Sequence, residues 1–368
     1  MGQTIIGVND PKAVKKYSAF LAVDVARDSY FSRKFMGSEG SSMPIQVVKD
    51  LESTAGDKVS FDLSMQLSMQ PVEGDTPLTG KEEDLKFYSD DILINQMRGG
   101  VNTGGRMTQK RTIHQLREIA RVRQSEWWSR VFDELFFMYL SGLRGVNADY
   151  IFATNYTGFA GNAFNAPDSE HHLMPGIKTN LTIDANDKMT LGLIDKAVAM
   201  ASMMGGGSAG TPKIQPIMIN GERHFVCVMN PWQAYDLRQS SGGGGWLDIQ
   251  KAAAAAEGRK NPIFQGGLGM YNNVVLHEHQ AVIRFHAGAA NPQTVDCARA
   301  LFMGVQAAVI AFGSKGNGLR FGWYEEERDN GNQVVISTHS IFGISKVQFN
   351  AKDFGIMAID TAAAQPVA

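Results

Sequence analysis

Two cysteines in 368 residues, Cys227 and Cys297, are too few for a disulfide framework. Each belongs to an apolar stretch (Phe225–Met229 and Ala298–Met303), where a reduced thiol packs as a small hydrophobe. An excess of one charge is missing too: 35 Lys and Arg against 37 Asp and Glu leave a formal net charge of −2. Proteins that coat nucleic acid by neutralising phosphates carry a clear basic excess, so any such binding here is local or weak. No apolar run is long enough to cross a bilayer. The longest, Ala300–Ser314, falls short of the ~20 residues required and is broken by Gly304 and Gly313. The opening residues MGQTIIGVNDPKAVKKY lack the basic-then-apolar order of a signal peptide, and Ile6 stands where myristoylation wants Ser or Thr. A soluble product of a reducing compartment, with no membrane partner, is expected. Hydrophobic residues at 43% and charged residues at 20% allow a packed core. At roughly 150 residues per domain the length suggests two or three lobes.

Catalytic signatures are equally scarce. Gly205–Thr211 (GGGSAGT) has no Lys before its Thr and is followed by Pro212, so it is not a phosphate loop; Gly313–Gly318 fails on spacing. There is no Gly-x-Ser-x-Gly elbow, and neither cysteine has a nearby histidine. His277 and His279 share a strand face, and His286 or the pair His171–His172 could add a third ligand, but convergent partners of the usual metal spacing are lacking. Half-exposed imidazoles on an ordinary strand are expected, with no metal or other cofactor. The acidic runs Glu82–Asp84 and Glu325–Glu327 read as solvated faces.

What the chain does contain is a strong strand and a strong helix. From Lys58 to Gln70, apolar Val59, Phe61, Leu63, Met65, Leu67 and Met69 alternate without a fault with polar residues. A loop with Pro and Gly punctuation follows (Pro71–Gly80), then a weaker return strand, Leu85–Met97, and a Gly-rich stretch with Gly99, Gly100, Gly104 and Gly105. Two isolated strands are marginal in water, so this hairpin needs a cover from its own chain or another. Residues 112–141 read as one long helix, basic in its first half (Arg117, Arg121, Arg123) and aromatic in its second (Trp127, Trp128, Phe132, Phe136, Phe137, Tyr139). Residues 11–36 read as an amphipathic helix carrying Lys12, Lys15, Lys16, Arg27, Arg33 and Lys34 against Asp24 and Asp28: a solvated face, or a contact for an acidic partner. From Ile214 onward strands alternate with short helices, and Asp329-Asn-Gly331 marks a hairpin turn.

Several segments together resemble the major capsid proteins of tailed double-stranded DNA phages, of the group typified by the podovirus "N-four". They are Gln70–Leu85 (QPVEGDTPLTGKEEDL), Asn230–Arg238 (NPWQAYDLR), Asn261–Phe264, Gly269–Tyr271, Val275–His279, Arg299–Ala307 (RALFMGVQA), Gly331–Gln333 and Ile341–Ile344. The resemblance spans about residues 50 to 360. It implies an α+β, Hong-Kong-ninety-seven-type fold. The expected parts are an N-terminal arm (1–50), an extended loop (51–111), a spine helix (112–142), a peripheral domain (143–210), an axial domain (211–314) and a return segment to the peripheral domain (315–368). It further implies a non-enzymatic subunit that self-assembles as hexamers and pentamers into an icosahedral shell around double-stranded DNA. Its partners would be its own copies, a portal protein and a scaffold or decoration protein, and it would be made in the bacterial cytoplasm. Phe61, Leu63, Met65, Glu82, Glu83, Arg98, Arg106 and Arg111 are the expected subunit contacts, and the six basic residues of the arm the expected contact for DNA or an acidic neighbour. Two competing readings are a hydrolase built on His171, His172, His277 and His279, and a nucleic-acid-binding module using the arm.

Overall fold

A computed structural model describes residues 11–49, 56–64, 69–85, 87–112, 115–176, 182–204, 213–219, 221–240, 262–264, 267–287, 295–314 and 320–366. The chain opens with α1 (Pro11–Asp28) and α2 (Tyr30–Lys34), then β1 (Met36–Ser38) and β2 (Ile45–Val48). β3 (Lys58–Ser64) and β4 (Phe87–Leu93) form the hairpin, which runs on into β5 (Asn95–Gly105), α3 (Arg106–Arg111) and the long α4 (Leu116–Ser141). Short strands β6 (Gly158–Phe159), β7 (Asn162–Ala163) and β8 (His172–Leu173) precede α5 (Leu191–Met203), β9 (Ile217–Ile219), β10 (Glu222–Met229) and α6 (Pro231–Ser240). The remainder is β11 (Gly269–Tyr271), β12 (Val274–Glu278), β13 (Arg284–Ala287), β14 (Val295–Met303), β15 (Ala308–Gly313), β16 (Phe321–Arg328), β17 (Gln333–Lys346), β18 (Gln348–Phe349), β19 (Lys352–Asp353) and β20 (Ile356–Ala362). The expected Ala-rich helix at 251–257 and the glycine runs 205–211 and 242–245 lie outside the described residues.

Two sheets organise these elements. A six-stranded sheet runs β1-β2-β15-β17-β16 with β5 added to β17; an eight-stranded sheet runs β11-β12-β10-β14-β20-β8, with β13 on β14 and β9 on β10. Strand alternation sends Val226, Val228, Leu301 and Met303 of the larger sheet, and Ile310, Phe312 and Phe342 of the smaller, into one core around α4. The opposite face of the larger sheet (Phe225, Cys227, Met229, Phe302) is covered by α5 and α6. The opposite face of the smaller sheet (Val309, Ala311) is covered by the hairpin. Both cysteines are buried and unbridged, and burial pushes the Cys227 thiol up to about 12.

Several expectations need correction. The helix expected over 11–36 is two helices: Ser29 is extended between them and its hydroxyl accepts the Ser32 N–H at 3.2 Å, capping α2. The return strand expected over Leu85–Met97 is two strands, β4 and β5, and β5 continues through the Gly-rich stretch 99–105, paired antiparallel with β17. Gly99 is required there: a Cβ would sit 2.6 Å from the Trp127 ring. The boundary at 314 is not a sheet boundary, because β15 belongs to the smaller sheet and β20 returns to the larger, pairing with β14 from Cys297↔Ala362 to Met303↔Ile356. β2 lies parallel to β15 inside the sheet, so the end of the arm is core rather than appendage. Glu325 is buried, not solvated, and its carboxylate accepts from Arg117 at 2.7 Å and from the Trp323 indole at 2.8 Å.

The hairpin's base also differs from a free-standing ribbon. Val59 and Ile92 are buried, facing each other across β3 and β4, and the Phe61 ring meets Phe349 edge-on at 6.0 Å. Asp90, opposite Phe61, accepts the Gln348 N–H at 3.0 Å and fastens the ribbon to β18. Phe61 therefore packs within its own chain, where a side chain of its size contributes about 1.5–3 kcal/mol on full burial. Phe61→Asp should lower the melting temperature of the soluble subunit by several degrees, measurable by circular dichroism; an unchanged melt would place Phe61 in water.

Candidate subunit interface

The part of the hairpin that its own chain leaves uncovered lies further out, at the tip. Met69, Leu78, Leu85 and Phe87 are 45–62% exposed. The tip's described hydrogen bonds stay within itself: Lys81 N–H to the Leu78 carbonyl (2.9 Å), Gly80 N–H to Glu82 (2.6 Å) and Met69 N–H to Glu83 (2.8 Å). These bonds preshape the turn. Backbone donors lower the pKa of Glu82, so its charge persists well into acid. Exposed apolar side chains on a preformed acidic projection are the chemistry of a contact surface rather than of a core.

The residues expected at this surface divide into three groups. Glu82 is exposed at the tip, Glu83 is partly covered, and Arg98 and Arg111 are exposed on β5 and at the end of α3. Arg106 is exposed but engaged at home: its Nε donates to the Gly331 carbonyl at 3.1 Å, and its backbone N–H to Asn332 at the β16–β17 turn. Phe61 is packed as described, while the side chain of Leu63 and all of Met65 lie outside the described residues. Met69, Leu78, Leu85 and Phe87 escaped the sequence reading. Met69 continues the period-2 register, but nothing in the alternation says where the chain's own cover ends.

The basic segments are more neutralised than composition suggests. Arg117 pairs with Glu325 and lies over the Tyr17 ring; Arg121 lies 3.9 Å from Asp24; Arg123 bonds Glu126. On the arm, Arg27 pairs with Asp24 and Asp28, and Lys34 sits 4.7 Å over the Tyr30 ring with its pKa lowered by burial. Arg33 is exposed, and the side chains of Lys12, Lys15 and Lys16 lie outside the described residues.

The histidines do not converge. Among the described residues no group of three His, Cys, Asp or Glu is placed to hold a metal. His277 is fully buried, with Nε2 2.8 Å from the Ile263 carbonyl; His279 stacks on Phe137 at 5.0 Å and is mostly covered. His171 bonds Asp168 at 2.8 Å, and His172 bonds Asp360 at 2.7 Å. The half-exposed imidazoles expected on β12 are instead packing elements, because the core around α4 reaches across that strand.

Two sheets on one long helix with a projecting hairpin form an arrangement shared with known proteins. The phage capsid protein family model matches residues 5–365. The chain belongs to the phage capsid protein family. The capsid of Ralstonia phage GP4 is similar over the whole of both chains, at 47% identity with a TM-score of 0.86. The major capsid protein of Pseudomonas phage KPP25 is 26% identical over 92% of each chain. The capsid of cyanophage Pam1, at 21% identity over 93% of this chain and 94% of its own (TM-score 0.69), shares the fold. The capsid subunit is a structural shell protein, not an enzyme, with the Hong-Kong-ninety-seven-type fold expected from the resemblance.

Burial makes the subunit acid-sensitive with a definite sign. Desolvation, reinforced by Lys34, lowers His277 and His279 to about 4, whereas both titrate near 6.5 when unfolded. Stability is therefore full above pH ~6.5 and is lost as pH falls toward 4, by up to about 3 kcal/mol per imidazole. Asp133 acts oppositely: burial raises it to about 6, so the folded state takes up a proton in the same window and offsets part of the loss. Acidifying from pH 7 to 4.5 should lower the melting temperature, and His279→Phe should remove well over half of that drop, because Asp133 offsets most of what His277 alone would lose. An unaltered pH slope in the variant would assign the sensitivity elsewhere.

Proposed function

We propose that copies of this subunit join as hexamers and pentamers into an icosahedral shell around the double-stranded DNA of a tailed phage. Assembly takes place in the bacterial cytoplasm, with a portal protein and a scaffold or decoration protein as partners. The observation that carries this reading is the hairpin: its base is fixed to its own sheet, while its acidic tip exposes Leu78 and Leu85 and is shaped by hydrogen bonds within the tip. A second copy would cover it. In this plan residues 1–50 are the arm, 51–111 the extended loop and 112–142 the spine. The peripheral domain, expected from 143–210 and 315–368, is here proposed as the six-stranded sheet on α4, and the axial domain, expected over 211–314, as the eight-stranded sheet, on which β8 and α5 of the 143–210 stretch also lie together with α6. Near-neutral net charge favours the packing of identical copies, which a large like charge would oppose.

Glu82, Glu83, Arg98 and Arg111 are the proposed polar contacts. Arg98→Glu and Arg111→Glu should each leave the subunit's melting within about 2 °C, since exposed substitutions cost little, yet lower the yield of sedimenting particles at least tenfold. Negative-stain microscopy and analytical ultracentrifugation read the outcome. A wild-type chain that stays monomeric or dimeric in the presence of its scaffold overturns the shell.

Contact with DNA is assigned to Arg33, the lysines Lys12, Lys15 and Lys16, and more weakly Arg27 and Lys34. The soluble subunit should bind duplex fragments without sequence preference, and its affinity should fall steeply between 50 and 200 mM salt, as roughly expected of phosphate contacts. Salt-resistant, sequence-specific binding would reject this assignment.

A further inference from the structure

Lysine is almost never fully buried unless it is paired. Lys346, the last residue of β17, is 1% exposed, and its Nζ lies 2.7 Å from Oδ1 of Asp353 on β19, which is also 1% exposed. Despite that distance, Nζ makes no well-angled hydrogen bond to any described residue. Burial lowers the pKa of the amine, and the charge of Asp353 works against that shift. Loss of the ammonium proton turns a buried lysine into a nucleophile.

The carboxyl group opposite is oriented from three sides. Its backbone N–H donates to Oδ2 of Asp168 at 2.7 Å, and Nδ1 of His171 lies 2.8 Å from the same oxygen. The β18–β19 register sets Gln348 opposite Asp353, and the Gln348 side-chain amide donates to Oδ1 at 2.7 Å. A donor on Oδ1 draws electron density from Cγ and stabilises the charge that would gather on that oxygen during attack. The chain neighbours Val347, Phe349 and Phe354 are buried as well, so bulk water is kept from the pair. An amine, an acyl carbon, a polarising donor and a dry enclosure are the parts that amide formation needs.

We propose that Lys346 and Asp353 condense into an isopeptide bond within the chain. Nζ first passes one proton to the Asp353 carboxylate. The neutral amine then attacks Cγ, forming the Nζ–Cγ bond; the Cγ–Oδ2 bond breaks, and Oδ2 leaves with its own proton and a second one from Nζ. One ammonium and one carboxylate become one amide and one water, and no oxidant or activating group is consumed. Oδ1 stays as the amide oxygen, still held by Gln348. The ring so closed links no subunits and does not depend on the shell reading. It staples the end of β17 to β19 around β18, the strand on which Asp90 fastens the hairpin's base through the Gln348 N–H.

Mass spectrometry of the purified, denatured full chain tests the bond. The chain should weigh one water, about 18 Da, less than its sequence. Trypsin should leave the peptide bond after Lys346 uncut, and the peptide 329–352 should stay joined to 353–368 under reducing conditions. Lys346→Arg keeps the charge but cannot close the ring, and its digest should give the two peptides separately at full mass. The wild-type digest decides the matter whether or not that variant folds. Wild-type peptides that separate at full mass, from soluble subunit and from particles alike, overturn the bond. So does a water-sized deficit confined to 353–368 alone, which is a succinimide, or a deficit that persists in Lys346→Arg.

Discussion

Burying a helix on all sides strands the polar side chains on it unless partners reach them, and the capsid subunit is tied together by the partners that Gln124, Asp133, Glu134 and the Ser141 carbonyl find; the Ser125 and Ser141 hydroxyls find none among the described residues. From Trp128 to Ser141 all but Arg130 are buried, including Asp133, Glu134, Ser129 and Ser141. An unpartnered buried polar group costs about 1–3 kcal/mol, and more when charged. Asp133 is satisfied by the arm: it accepts the Ser29 hydroxyl at 2.8 Å and the N–H groups of Tyr30 and Phe31 at 2.9 and 3.1 Å. Glu134 accepts the Ile151 N–H at 2.8 Å and lies 3.4 Å from Arg130. Gln124 accepts the Thr338 hydroxyl, which in turn accepts the Trp128 indole, joining the helix to β17. Arg299 donates to the Ser141 carbonyl and to Asp360, so β14 and β20 are clamped to the helix end. Arm, loop segment and both sheets thus converge on one helix through bonds whose loss leaves a buried charge or dipole behind.

How much of this the sequence discloses depends on how local each cause is. The alternation over 58–70, the length of α4 and the Asp329-Asn-Gly331 turn are short-range signals. The 329–331 hairpin appears where expected; the described strand runs only from Lys58 to Ser64, with Met69 and Gln70 outside any strand, and the helix begins only at Leu116. β5 was illegible because glycine argues against a strand until Trp127 is known to lie over Gly99. The parallel pairing of β2 with β15, and the return of β20 to the larger sheet, join residues hundreds of positions apart and leave no periodic trace. Glu325 looked like a surface charge; it is buried because Arg117 meets it from a distant segment, as Asp353 meets the buried Lys346. For the interface, charge and exposure of Glu82, Arg98 and Arg111 were readable, but the boundary between covered Phe61 and uncovered Leu78 is set by Phe349 and Val48, which alternation cannot locate.

The same partition explains how a subunit can be stable alone and still built for assembly. Hydrophobic burial that must survive in the monomer is concentrated around α4 and under the hairpin's base, where Val59, Ile92, Val309 and Phe349 close a small core of their own. The large apolar side chains left exposed are spread over the tip, helix faces, loops and strands, among them Leu78, Val23, Ile151 and Met218. Buried ion pairs add little net stability, yet breaking one is costly. Arg299 with Asp360, and Lys346 with Asp353, therefore fix register at strand crossings rather than contribute bulk stability. At Asp360 burial opposes ionisation, but the Arg299 charge and hydrogen bonds, together with His172, overcome it and hold the carboxyl below its ordinary value. A rigid body with a preformed, acidic projection follows directly. The body defines where each neighbour stands, and the projection's weak contacts, repeated at every copy, become strong only when all the neighbours are in place.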